Sequence, residues 1–84
     1  METKMDKVTE FRTHDFYQAC VLKTLGFRLL RLERTSGKFV DFIFGDPDYS
    51  AEISLEQYWN RETQVIARDL IENINELKSR IYSA

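Results

Sequence analysis

Asp46, Asp48, Ser50 and Glu56 carry oxygen-bearing side chains at the alternating spacing with which a calcium loop begins. Ala51 stands where such a loop needs glycine for its sharp turn, and Gln57 where it needs a bidentate carboxylate, so Gly45-Asp46-Pro47-Asp48 reads as a turn and not as a metal site. His14, the one histidine, lies beside Asp15 and has the residue type of a general base. No serine or cysteine stands in a nucleophile motif for it to serve, so it reads as an exposed residue of a first helical turn. Cys20 is the only cysteine, which rules out an internal disulfide and leaves a structural zinc ion without a second thiolate. Its apolar neighbours predict a small buried thiol, with no cationic cluster to activate it. No catalytic, cofactor or metal residue is assigned, and the expectation is a protein that is not an enzyme.

Two groups suit recognition rather than chemistry. Arg28, Arg31, Arg34 and Lys38 are a local basic excess, and a basic two-stranded ribbon can enter a DNA major groove. Strand alternation sends Arg31 to the face opposite Arg28 and Arg34, which argues for the solvated rim of a small sheet. Tyr58-Trp59-Asn60 has the composition of a binding hot spot, but the favoured reading is a core corner with buried rings and Asn60 ending a helix.

These residues need elements to hold them. Thr13 reads as the N-cap of a helix over about residues 14 to 25, in which Phe16, Tyr17, Ala19, Cys20, Val21, Leu22 and Leu25 follow at helical spacing. Asp15 in the first turn suits the helix dipole. Gly26 is the expected left-handed stop, with Leu22 and Phe27 placed for the apolar contact of a Schellman ending. A β-hairpin follows directly. A two-residue Ser36-Gly37 turn sets Arg31 against Phe42 and Leu32 against Asp41, mixing charge with apolar groups. A three-residue Thr35-Ser36-Gly37 loop instead pairs Arg31 with Asp41, Leu32 with Val40 and Leu30 with Phe42, and is preferred. It predicts Leu30, Leu32, Val40, Phe42 and Phe44 on the inward face and an external Arg31 to Asp41 ion pair. Leu29, Phe39 and Ile43 are left on the outer face. A two-stranded sheet that is apolar on both faces needs cover from the C-terminal segment, a second copy or a partner.

After the turn at Gly45-Asp46-Pro47-Asp48 a short helix is expected from about Ala51 to Trp59 with Ser50 as its cap. A long one follows over about residues 65 to 82. Ile66, Leu70, Ile74, Leu77 and Ile81 form its apolar stripe, predicted to lie on the inward face of the hairpin. Arg68 with Glu72 and Glu76 with Arg80 are the ion pairs of its wet face.

The chain has 84 residues, 43% of them hydrophobic and 13% aromatic, which bounds it to one globular domain with a modest core. Residues 1–10 alternate Lys with Glu and Asp and read as a flexible arm, and residues 11–84 as the domain. No secretory leader or membrane span is expected, and the setting read from the lone cysteine is cytoplasmic. The net charge of -2 hides a division: the hairpin is the basic end, and residues 45–84 hold four basic against eight acidic groups. A sequence-indifferent polyanion binder is normally basic as a whole.

Phe11, Thr13 and Asp15; Ala19; Gly26-Phe27; Phe42 and Phe44; Tyr58-Trp59-Asn60; and Val65, Ala67, Arg68 and Leu70 together form a distributed pattern over nearly everything after residue 10. In this the chain resembles a small bacterial and phage-associated domain family that is itself of unknown function. It departs from the pattern at Ile66, where a capping Asp or Ser is usual. The resemblance implies an accessory role and supplies no catalytic residues; its mobile-element setting adds some weight to nucleic-acid contact.

The sequence thus predicts an α+β domain of order helix, strand, strand, short helix, long helix, with the helices on one face of the hairpin. The functional expectation is an interaction module that self-associates or docks a protein partner through Leu29, Phe39 and Ile43. The alternative is a nucleic-acid-binding accessory protein using Arg28, Arg31, Arg34 and Lys38.

Overall fold

The computed structural model describes residues 9–37 and 39–83. Its elements are β1 (Glu10–Thr13), α1 (Phe16–Thr24), β2 (Leu29–Ser36), β3 (Phe39–Gly45), α2 (Ala51–Trp59) and α3 (Ala67–Ser83). The protein is α+β, with its helices following the predicted order. The addition is β1, which makes the sheet three-stranded and antiparallel in the order β1-β3-β2. Glu10, assigned to the arm from sequence, is its first residue, while residues 1–8 lie outside the described residues. β1 and β2 run parallel to each other on either side of β3, and α1 carries the chain between these two edges.

The hairpin register differs from the expected one. Leu32 faces Phe42, Arg31 faces Ile43, Glu33 faces Asp41 and Arg34 faces Val40, and Ser36 pairs with Phe39 across a connection at residues 37 and 38. The shift preserves the parity of Leu32, Val40, Phe42 and Phe44, which stay inward. It does not preserve Leu30. An irregularity between Leu29 and Arg31 inserts one residue opposite β3, so the alternation changes phase and Leu29, paired with Phe44, takes the inward place. Phe11 and Thr13 complete that face from β1, opposite Phe44 and Phe42.

The core joins this face to all three helices: Ala19, Cys20, Leu22, Phe42, Phe44, Ala51, Leu55 and Leu77 form one buried cluster. Four consecutive residues of α1, Ala19 to Leu22, are buried. Successive residues step by about 100° around a helix, so four in a row close most of its circumference. Such a helix must be flanked as well as floored. α2 and α3 both pack against α1, while the strands lie beneath it. α3 packs on the core cluster through Leu70, Ile74, Leu77 and Ile81, and a polar clamp joins it to α1. There the Lys23 ammonium lies 3.1 Å from Glu76, donates to Asn73 Oδ1 at 3.2 Å, and Asn73 Nδ2 donates to Thr24 Oγ1 at 3.0 Å. Of the two pairs expected on α3, Arg68 to Glu72 forms at 3.1 Å, whereas Glu76 turns to Lys23. Ile66, expected in the stripe, precedes the helix and is exposed.

The helix ends show which side chains set them. Asp15, not Thr13, caps α1, accepting from Gln18 N at 2.9 Å. Thr13 belongs to the strand, and its hydroxyl supports the cap by accepting from Asp15 N at 3.2 Å. At the other end Phe27 N donates to Leu22 O and Gly26 N to Lys23 O, the Schellman pattern, with Gly26 left-handed at φ 103°. α2 closes the same way, Glu62 N to Gln57 O and Arg61 N to Tyr58 O, but here the left-handed residue is Arg61, at φ 64°. Ser50 stands at the N-cap of α2 without making a side-chain cap bond. The work falls to the buried Asp46, whose carboxylate accepts from Ser50 N at 2.8 Å and Ala51 N at 3.2 Å.

Arg61→Gly is expected to raise stability by about 0.5 to 1 kcal/mol by removing a Cβ from a left-handed position, readable as an increased urea midpoint at unchanged slope. Asp46→Ala is expected to lose about 1 to 2 kcal/mol, since two amides at the start of α2 lose their acceptor; the same titration checks it.

Candidate functional site

β3 is the central strand, so Ile43 projects from the middle of the face that carries no helix. It is nevertheless 0% exposed. Arg12 on β1 and Arg31 on β2 are its partners on either side. Both reach across the sheet: Arg12 Nη1 donates to Glu33 on β2 at 2.9 Å, and Arg31 donates through Nη1 and Nη2 to the two oxygens of Glu10 on β1, each at 3.0 Å. Arg12 also binds Asp41 at 2.9 Å, and Arg31 Nε binds Glu33 at 2.8 Å. Two guanidinium groups thus cross over the central strand and tie together three carboxylates, and their aliphatic stems cover Ile43. Glu33 and Asp41 sit directly opposite each other, an unfavourable pairing in a two-stranded hairpin. Arg12 bridges them, so the third strand makes this register tolerable.

The expected Arg31 to Asp41 pair is therefore replaced by Arg31 to Glu10 and Glu33, and by Arg12 to Asp41. The hydrogen bond from Arg31, and then that from Arg12, holds Glu33 below the ordinary carboxylate value of 4.5; the Arg31 bond lowers Glu10 likewise. Both guanidinium groups are shifted further upward, Arg31 chiefly by Glu10 and Arg12 chiefly by Asp41.

The proposed docking trio does not form one surface. Leu29 packs against the core cluster, Ile43 is roofed by the arginines, and Phe39 alone is exposed, at 59% and near the hairpin tip. The basic group is dispersed as well. Arg31 is in the charge network, Arg34 turns to the helical side and donates to Ile81 O near the C-terminus of α3 at 2.8 Å, and Arg28 lines a groove elsewhere. Lys38 lies outside the described residues. Cys20 is buried, which pushes its thiol up to about 11, with Asp15 adding to the effect and Lys78 opposing it. His14 is exposed. Of the calcium-like set, Asp46 is spent on capping α2. Among the described residues no three His, Cys, Asp or Glu side chains gather as metal ligands. Trp59 corrects the buried-corner expectation. It is 65% exposed, its ring centroid 5.5 Å from that of the half-buried Tyr58, and Asn60 does end the helix.

Sequence reasoning did not find the groove that Arg28 lines. It has a volume of about 1000 Å³ and is bounded by the end of α1, the connection into β2, the turn before α2, Ser54 and Gln57 of α2 and the connection toward α3. Leu25, Phe27, Leu30 and Pro47 supply apolar wall; Ser54, Gln57, Thr63 and Gln64 supply hydroxyls and amides; Arg28, Asp48 and Glu62 supply charge of both signs. Tyr49, between two lining residues, is left-handed at φ 53° and 72% exposed. The groove is assembled from segments far apart in sequence, and no local spacing signals it.

Residues 8–83 match a family described as a domain of unknown function (DUF5659). No curated protein matches the chain, and no solved structure does. Among the described residues no helix is long and apolar enough to cross a membrane.

A carboxylate held low in the folded state stabilises it fully above its unfolded value, near 4.5 for Glu33, and loses that effect as pH falls through the folded value. Glu33→Gln should therefore melt below the wild type at pH 7, with the gap in midpoint closing as pH drops below about 4.5; thermal melts across this range are the check.

Proposed function

The chain belongs to the DUF5659 family, a domain of unknown function, and we propose that it is a non-enzymatic interaction module holding an extended segment of a partner protein in the groove beside α2. The observation that carries this reading is the lining. An extended peptide presents amides and carbonyls at every residue and side chains in alternation, and it needs a wall that offers hydrogen-bonding groups and apolar contact together. Gln57, Gln64, Ser54 and Thr63 from α2 and the connection after it, with Phe27, Leu30 and Pro47 from the other segments, supply that mixture. The volume, about 1000 Å³, suits several residues of peptide. Two parts of the wall backbone are fixed, one by the Schellman ending of α1 and another by the Asp46 cap, which limits the backbone ordering lost on binding. The resemblance to phage-associated sequences supports placing such a module among accessory proteins of mobile elements.

Selection of a displayed random-peptide library on the folded chain should enrich a consensus that binds with micromolar affinity. Ser54→Arg, which fills the groove from α2, should weaken the selected peptide at least about tenfold, or 1.4 kcal/mol, with an unchanged circular dichroism spectrum. Failure to enrich any consensus, or equal binding to the Ser54→Arg protein, would overturn the assignment.

A further inference from the structure

We infer that β2 is a homotypic pairing edge, joining a second copy of the chain in antiparallel fashion about a two-fold axis at Leu32 to form one six-stranded sheet. It does not rest on the groove reading, although Leu30 of β2 also lines the groove.

The two edges of the sheet differ. β1 is only four residues long, whereas β2 has eight, and among the described residues no strand pairs with its outer side. A short edge offers little template, and a long one offers a row of backbone donors and acceptors. The irregularities of β2 fall near its ends, between Leu29 and Arg31 and between Arg34 and Ser36, so Arg31 to Arg34 remains a regular ladder between them. Bulges that protect an edge do so by interrupting it; here the middle is left intact.

Face parity and charge then select the register. A two-fold axis perpendicular to the sheet keeps the helical face of one copy continuous with that of the other, so inward residues must oppose inward residues. Leu32 and Arg34 are inward, and Arg31 and Glu33 are outward. This confines the axis to a residue rather than a gap. An axis at Arg31 sets two arginines directly opposite, and an axis at Glu33 sets two glutamates opposite, both unfavourable. An axis at Leu32 sets Arg31 of each copy against Glu33 of the other, twice, and brings the two half-buried Leu32 side chains together on the helical face. The charged groups have capacity for it. A guanidinium has five N–H donors, and three of those on Arg31 are used, two on Glu10 and one on Glu33. Each oxygen of Glu33 accepts one bond, from Arg12 or Arg31, leaving further lone pairs. The charge network on the outer face would therefore run on across the seam between the copies.

Sedimentation velocity of the full chain over a concentration series should show a monomer to dimer shift. Arg31→Glu and Glu33→Arg should each weaken self-association at least about tenfold, because each puts like charges opposite. An equimolar mixture of the two variants should restore dimer, since every opposed pair is then complementary. If either variant unfolds, Leu32→Cys decides: residues on the axis of an antiparallel pair have Cβ atoms close enough to crosslink under mild oxidation, and the buried Cys20 does not compete. A dimer band for Leu32→Cys with none for Arg34→Cys supports the register. A strict monomer at high concentration, a dimer indifferent to both charge changes, or equal crosslinking at both positions would overturn it. Peptide binding by the groove is read separately and is not altered by any of these outcomes.

Discussion

One apolar side chain in an unprotected place governs the outer half of this molecule. Ile43 sits on the central strand and faces away from every described helix, and no second layer of described elements covers it. The cover comes from the stems of Arg12 and Arg31, and stems can lie flat over the sheet only if their charged ends find partners at its far edges. Glu10, Glu33 and Asp41 are those partners. Several features follow from that single requirement. β1 must pair with β3, because it contributes both Arg12 and Glu10. Glu33 must face Asp41, because only then does Arg12 reach both. The face becomes a closed set of two cations and three anions in place of an apolar docking surface. The individual pairs are solvated, so their part is to hold the stems in place rather than to supply large attraction of their own.

The helical half is organised by burial. α1 is enclosed by the sheet and by the two other helices, which demands small or compact residues at its crossings, and Ala19 and Cys20 occupy two of them. Cys20 is held as a protonated thiol by the same enclosure. α3 needs only one apolar stripe, and its position along α1 is pinned by Lys23, Thr24, Asn73 and Glu76. α2 is the least deeply committed element: two of its residues, Ala51 and Leu55, are buried, while Ile53 and Trp59 face water. Two non-glycine residues in the left-handed region, Tyr49 and Arg61, bracket it. Such conformations cost about 1 kcal/mol or more each, and both lie at the connections bordering the groove, where backbone geometry shapes the walls.

Helices were legible because their signals are local and repeated. The bounds of α2, the Gly26 ending of α1 and the apolar stripe of α3 each rest on residues three or four apart that report the same thing. β1 was not legible, since four alternating residues, Glu10 to Thr13, resemble any polar lead into a helix, and Thr13 is an equally good cap and strand end. Its partner strand lies some thirty residues away. That omission carried the register with it. Neither of the two registers weighed from the sequence sets Glu33 opposite Asp41; in a two-stranded hairpin that pairing is repulsive, and with Arg12 supplied by a third strand it becomes acceptable. The phase change at Leu30 was hidden because Leu29 and Leu30 are the same residue type and the inward face is served by either. The groove was illegible for a simpler reason, being made of five segments that approach only in the folded chain.

The distribution of satisfied and unsatisfied groups decides where a partner gains by binding. On the outer face Glu10, Arg12, Arg31, Glu33 and Asp41 each have a counter-charge within about 3 Å, so a ligand placed there must first separate pairs that the protein itself needs to keep Ile43 dry. The same holds for Arg34, whose guanidinium is bound to a helix carbonyl, and it removes two of the four basic hairpin residues from any ready-made anionic site. At the groove and along the outer side of β2 the polar groups have water for company, and a partner that offers equivalent hydrogen bonds together with apolar contact replaces that water at little structural cost. On the readings proposed above, recognition is directed to the edges of the fold and to the end of its helical layer, while the charged face acts as a lid on the sheet.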